Sequence, residues 1–311
     1  MWRGWPSRAT GLLHLQRQRP TMRQFRILHL DVFTDRALEG NQLAVFPAAD
    51  DLDPALMQRI AREMNLSETV FFFAPTLAGC DARLRIFTPM AEIPFAGHPT
   101  IGATWAAHHE GIVQKRDFVF QEEVGPVPVS ILSTDPFMAF LTTPPIAFKK
   151  EYDRAGAAAA LGLDERDLLA SPVQCVSAGS DFVYVAVRDR ATADRAWLDY
   201  ALMKNVCGND AAGGVFVFAP NAGGAYSRMF APEHGIVEDP ATGSATGPLA
   251  AYMNRYGLLP PQTTAFISEQ GVKMGRRSVL HVRIVEGGGE PTFQVGGSVV
   301  PIIEGTFTLP D

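Results

Sequence analysis

Two stretches of this chain read as helices without a single charge along them, and nothing else in the sequence constrains the fold as much. The first is Phe95-Ala96-Gly97-His98-Pro99-Thr100-Ile101-Gly102-Ala103-Thr104-Trp105-Ala106-Ala107-His108-His109, a turn followed by a run lacking Asp, Glu, Lys and Arg. The second is Glu238-Asp239-Pro240-Ala241-Thr242-Gly243-Ser244-Ala245-Thr246-Gly247-Pro248-Leu249-Ala250-Ala251-Tyr252-Met253. Both consist of a polar residue, a proline, small residues around a glycine, then an Ala-rich uncharged helix. A helix with no polar face must be buried all round. Two of them, each entered through a polar-Pro turn, predict two similar halves whose helix N-termini face one cleft.

The segments leading into these helices also repeat. Arg85-Ile86-Phe87-Thr88-Pro89 is echoed by Arg228-Met229-Phe230-Ala231-Pro232. A strand, a proline loop, a polar-Pro turn and a buried helix follow in the same order both times, which points to internal duplication. Elsewhere, Phe25 to Phe33 reads as a strand, Gly40-Asn41 as a turn, and Asp53-Pro54 as a helix start with a capping Asp and Pro in the first turn. Val70-Phe71-Phe72-Phe73 reads as a buried strand. Pro248 is acceptable if its helix starts near Ser244, so that the proline falls in the first turn.

The chain is long enough, at 311 residues with 47% hydrophobic residues, for two packed units. We expect an N-terminal extension over 1–23, one half over 24–132 and another over 133–311, the last strands crossing back to the first half. Residues 1–23 carry Arg3, Arg8, Arg17, Arg19 and Arg23 with no acid, the composition of a targeting peptide or of a disordered extension. A net charge of −6 argues against a nucleic-acid partner. No uncharged apolar run reaches membrane-span length. Cys80, Cys175 and Cys207 show no C-x-x-C spacing, which gives neither a disulfide framework nor a zinc site and fits a reducing, cytoplasmic setting. Metal binding finds no support, since His108 and His109 are adjacent and point apart on a helix; no dinucleotide fingerprint follows a strand.

Several landmarks then occur in order: Asp31-Val32-Phe33-Thr34, Gly40-Asn41-Gln42-Leu43-Ala44-Val45, Asn65-Leu66-Ser67-Glu68-Thr69, Gly97-His98-Pro99-Thr100, Asp239-Pro240-Ala241-Thr242-Gly243-Ser244-Ala245, Glu269-Gln270-Gly271 and Met274-Gly275-Arg276. As an ordered set they resemble the PhzF family of phenazine-biosynthesis-like isomerases, from Arg26 to about Leu309. Gln42 departs from the family's usual Pro. The resemblance implies a diaminopimelate-epimerase-like α+β fold: two pseudo-symmetric halves, each a curved sheet rolled around a central helix, with the active site between them. It also implies a homodimer and an enzyme that needs no cofactor. Epimerases of this fold carry a cysteine at each helix-entry turn; here those turns hold His98 and Asp239, which disfavours a two-thiol racemase.

Moving a proton between carbons needs a base that becomes an acid in the same site, and a carboxylate whose pKa burial has raised serves well. Glu68, in a short link before an aromatic strand, matches the family's proton shuttle. His98 and Asp239 occupy equivalent turns and are expected to face each other and orient an amine or hydroxyl. The helix-start amides of Gly97 and Gly243, with Ser244, are expected to hold a substrate carboxylate. Capping contacts for His98 and Asp239, and tight turns for the glycines, are the plainer alternatives. Asn41 and the Glu269-Gln270-Gly271 turn are taken as structural. The expected activity is isomerisation of a small amino- or hydroxy-carboxylic acid, dihydro-hydroxyanthranilate being one candidate. A racemase of the same fold and a non-catalytic binding protein are the alternatives.

Overall fold

The computed structural model describes residues 22–211, 213–287 and 289–310. The targeting or disorder expected over 1–21 lies outside them. Met22 and Arg23, assigned above to the extension, open the first strand, Met22–Val32, opposite Pro310 and Leu309.

The duplication is visible in the strand pairing itself. In the first half Met22–Val32 pairs antiparallel with Asn41–Phe46, which runs parallel to Glu68–Phe73, which pairs antiparallel with Ala82–Phe87. Ala82–Phe87 then runs parallel to Asp117–Glu122, followed by the antiparallel strands Gly125–Thr134 and Phe137–Thr142, which carry this strand series past the expected boundary at 132. In the second half the same alternation is traced by Val173–Ser177, Asp181–Ala186, Val215–Asn221, Gly224–Ala231, Ala265–Gln270, Ser278–Val285 and Thr292–Gly297. Each parallel step needs a crossover, and in both halves the second crossover contains the Ala-rich central helix. Gly97–His109 sits between Ala82–Phe87 and Asp117–Glu122; Gly243–Arg255 sits between Gly224–Ala231 and Ala265–Gln270. Strand pairing links the halves where Thr292–Gly297 pairs with Phe137–Thr142 and where the final strand Val299–Pro310 returns to Met22–Val32.

Both central helices are enclosed as their composition requires. In the first, Ile101, Ala103, Ala106 and Ala107 belong to one apolar core together with Leu30, Leu43, Phe120 and Leu141. In the second, every residue from Gly243 to Met253 is buried, its apolar side chains packed on Phe216, Phe218 and Val282. Small residues are there because the strands come close. A Cβ on Gly102 would lie 2.4 Å from Leu43 Cδ2, and one on Gly247 2.2 Å from Thr143 Cγ2. Pro248 differs from expectation: the helix begins at Gly243, so the proline lies beyond the first turn, inside the helix. Its missing N–H leaves the Ser244 carbonyl without its helical partner, while the next carbonyl, Ala245 O, accepts from the Tyr184 hydroxyl at 2.6 Å.

The two helix N-termini meet head-on. A Cβ at Gly97 would fall 2.5 Å from Gly243 Cα, and one at Gly243 2.9 Å from Gly97 Cα. Glycine at both positions is thus a requirement of backbone contact between the halves.

Candidate active site

That contact forms the wall of a small enclosed cavity bordered by Glu68, His98, Asp239, Gly97, Gly243 and Ser244, with Phe95, Phe182, Met229 and Ile236 around them. All six residues singled out from the sequence therefore reach one place. Glu68 is the first residue of its strand, opposite Leu43 of the neighbouring parallel strand, which turns its carboxyl inward at the sheet end. His98 is in the first turn of the first helix. Asp239 ends the short strand Ile236–Asp239 just before the second helix.

The polar groups interlock. His98 Nδ1 lies 3.3 Å from Glu68 Oε2 and 3.2 Å from Asn41 Nδ2. Asn41 Nδ2 donates to Asp239 Oδ1 and to Ala241 O, both at 2.9 Å. Asp239 Oδ1 also accepts from the Ser67 hydroxyl at 2.9 Å, and Oδ2 from the Thr242 hydroxyl at 2.6 Å. Gln270 Nε2 donates to the Asp239 carbonyl at 2.8 Å and to Thr242 Oγ1 at 2.9 Å. Arg276 fixes the turn that presents Asn41, donating to the carbonyls of Glu39 and Gly40 and to Asp31 Oδ1.

Burial governs the protonation states. It lifts Glu68 well above the usual carboxylate range, and the charge of Asp239 adds to the lift. Burial also raises Asp239, to about 6, against the three donors that stabilise its ionised form. His98 is driven down to about 3 by burial and stays neutral at physiological pH. The pair of acids holds its negative charge where the donors are, on Asp239, and its proton on Glu68. Two ring and carboxyl atoms, His98 Nε2 and Glu68 Oε2, are buried with no hydrogen-bond partner among the described residues. The amides of Gly97, His98, Gly243 and Ser244 belong to the first turns of the two helices, where backbone N–H groups have no acceptor within the helix. Such unmet groups around one cavity are what a polar ligand satisfies.

Asn41 and Gln270, structural on the sequence reading, belong to the cluster, Asn41 touching both Asp239 and His98. Ser67 and Thr242 were not singled out at all, although each flanks a residue that was. The cysteines are elsewhere: Cys175 and Cys207 lie in the apolar core of the second half, their thiols pushed by burial up to about 12. His109, Glu110 and Glu304 converge at the far end of the first helix, but around the guanidinium of Arg26, which takes the place a cation would fill. Among the described residues no helix is long and apolar enough to cross a membrane.

Residues 30–305 match the family of phenazine biosynthesis-like proteins. A trans-2,3-dihydro-3-hydroxyanthranilate isomerase of Pseudomonas aeruginosa is 38% identical, the alignment covering 91% of this chain and 99% of that one. A solved predicted epimerase, also from Pseudomonas aeruginosa, shares 32% identity with a TM-score of 0.79, covering 91% of this chain and 99% of that one. A probable proline racemase from Agrobacterium radiobacter shares the fold alone, at 14% identity and a TM-score of 0.63, with 90% and 92% covered. Relatives 35–38% identical over about nine-tenths of this chain are isomerases, and the protein is an enzyme of that class. Within that class the chain belongs to the phenazine biosynthesis-like, or PhzF, family.

Proposed function

We propose that the protein is a cofactor-independent isomerase that moves a proton from one carbon to another within a small amino- or hydroxy-carboxylic acid, with Glu68 as the shuttle. The observation that carries this reading is the Glu68 carboxyl, enclosed beside His98 Nδ1 at 3.3 Å and raised in pKa by burial and by Asp239. A carboxyl poised near neutrality is a competent base in one step and a competent acid in the next. The substrate's ammonium, entering beside Asp239, offsets the negative charge there and favours ionised Glu68. The carboxylate then accepts a proton from an activated C–H, the electron pair spreads over the substrate's conjugated system, and Glu68 returns the proton to a different carbon. No net proton or electron is exchanged, so the reaction calls for no added group.

His98 and Asp239 orient the polar substituents in this reading, and the amides of Gly97, Gly243 and Ser244 receive the carboxylate at two helix starts. The named relative makes trans-2,3-dihydro-3-hydroxyanthranilate the first compound to try. A two-thiol racemase mechanism finds no support, because no cysteine borders the cavity. The family likeness supports a homodimer acting in the cytoplasm, with neither nucleic acid nor membrane as partner.

The test is incubation with that compound in D2O, following deuterium uptake and product by NMR. Wild-type protein should exchange and convert; Glu68→Gln should lose at least about a hundredfold in rate, the scale of a general acid–base contribution. Unchanged exchange in Glu68→Gln would end the role given to Glu68.

A further inference from the structure

The cavity around Glu68 has an open volume of only about 50 Å³. That holds a few water molecules, whereas pockets that take small ligands run to roughly 300–1,000 Å³. Beside it lies a second, open groove of about 740 Å³. Ile236 borders both spaces. Ser67, which donates to Asp239, and Glu238, which precedes it, also line the groove, so its wall is one residue thick from the acids of the site.

The groove combines charged residues with a set of apolar ones. Leu66, Pro89, Trp197, Val237 and Met274 line it, and Trp197 and Val237 are 62% and 65% exposed. Its charges are already engaged. Arg228 Nη2 pairs with Glu238 at 2.8 Å, Arg195 with Asp167 at 3.0 Å, and Lys273 Nζ donates to the Asp194 carbonyl at 2.6 Å. Asp194 Oδ1 accepts from the Tyr226 hydroxyl at 2.5 Å. A bare indole and a valine left in water next to a catalytic pocket are an apolar surface wanting cover.

We propose that this groove is a substrate subsite: the reacting acid carries an apolar, aryl-sized substituent that lies along Ile236, Val237 and Trp197 while its carboxylate and amine occupy the pocket of Glu68, His98 and Asp239. This rests on the isomerase reading and adds the substrate class to it. The groove supplies affinity and selectivity; the enclosed pocket supplies the chemistry.

The test is calorimetric titration of the full chain with 3-hydroxyanthranilate and with its 3-O-benzyl and N-benzyl derivatives. At least one benzyl derivative should bind about tenfold tighter than the parent or more, since apolar area removed from water adds to affinity roughly in proportion. Trp197→Ala and Val237→Asp should abolish that gain and leave the parent's affinity within about twofold. Equal binding of parent and derivatives, or a gain that survives Trp197→Ala, overturns the subsite while leaving the isomerase reading intact. Parent binding that is indifferent to His98→Ala counts against the catalytic pocket instead, and failure of all three probes to bind overturns both. A dimer that Val237→Asp converts to monomer, with no benzyl preference, assigns the groove to a second copy of the chain and overturns the proposal.

Discussion

Asp239 is the residue on which the electrostatics of the site turns. Burial raises it to about 6 in spite of hydroxyls from Ser67 and Thr242 and the Asn41 amide. Exchange should therefore rise as pH increases through about 6, where Asp239 takes on its charge, and Asp239→Asn should erase that limb of the pH–rate profile. The same substitution removes one of the two causes that lift Glu68, so the apparent pKa of the shuttle should fall in the variant. His98 gives a separate check. With its pKa near 3, its ring nitrogens should show no titration in NMR spectra between about pH 5 and 8. Of this cluster, Glu68, His98 and Asp239 were legible in the sequence because each is a titratable residue inside an ordered motif. Asn41 and Gln270 sit in such motifs too, but a neutral amide beside a glycine turn looks the same whether it caps a loop or reaches a partner far along the chain.

At the scale of elements, the first turn of the first helix is held from behind by Glu122 on the strand Asp117–Glu122. Its Oε1 accepts from the Thr100 hydroxyl at 2.6 Å, the Ala96 amide adds a second bond, and Oε2 is buried without a partner. Burial outweighs those bonds and raises Glu122 to about 8. The folded chain thus keeps a proton that the unfolded chain releases near pH 4.5, so this group destabilises increasingly from there up to about pH 8. Glu122→Gln should be near neutral at pH 4.5 and stabilising on the order of a few kcal/mol at pH 8.5, read from denaturant melts at the two pH values. Gly97 tests the helix contact. Gly97→Ala puts a methyl into the Gly243 backbone and should cost about 1–3 kcal/mol, with loss of exchange as the pocket is pried apart. The repeat also preserves an ion pair. Arg85–Glu92 in the first half and Arg228–Glu238 in the second follow the same strand, but the second pair is buried and borders the groove. The repeated Arg was visible in the sequence; its partners, on opposite sides of turns of unequal length, were not.

For the whole molecule, the final strand ties the end of the chain to its beginning, pairing along all of Met22–Val32. Ending the chain at Ser298 would uncover that strand and would strip Phe307 from Phe46, which stacks on Phe71. The shortened protein should lose its cooperative thermal transition and associate, as size-exclusion chromatography would show. The sequence by itself determined that two helices had to be buried, since a run of alanines and glycines without charge has no face to show to water. It also determined that those helices belong to repeated units, because strand, loop, turn and helix recur in one order. Only the tertiary structure decided that both helices start at the same point in space, Gly97 against Gly243. Only it brought Asn41 to Asp239, 198 positions away. Periodicity and turn chemistry act over a few neighbours, whereas such contacts depend on how two curved sheets close on each other, and that is settled by packing across the whole chain.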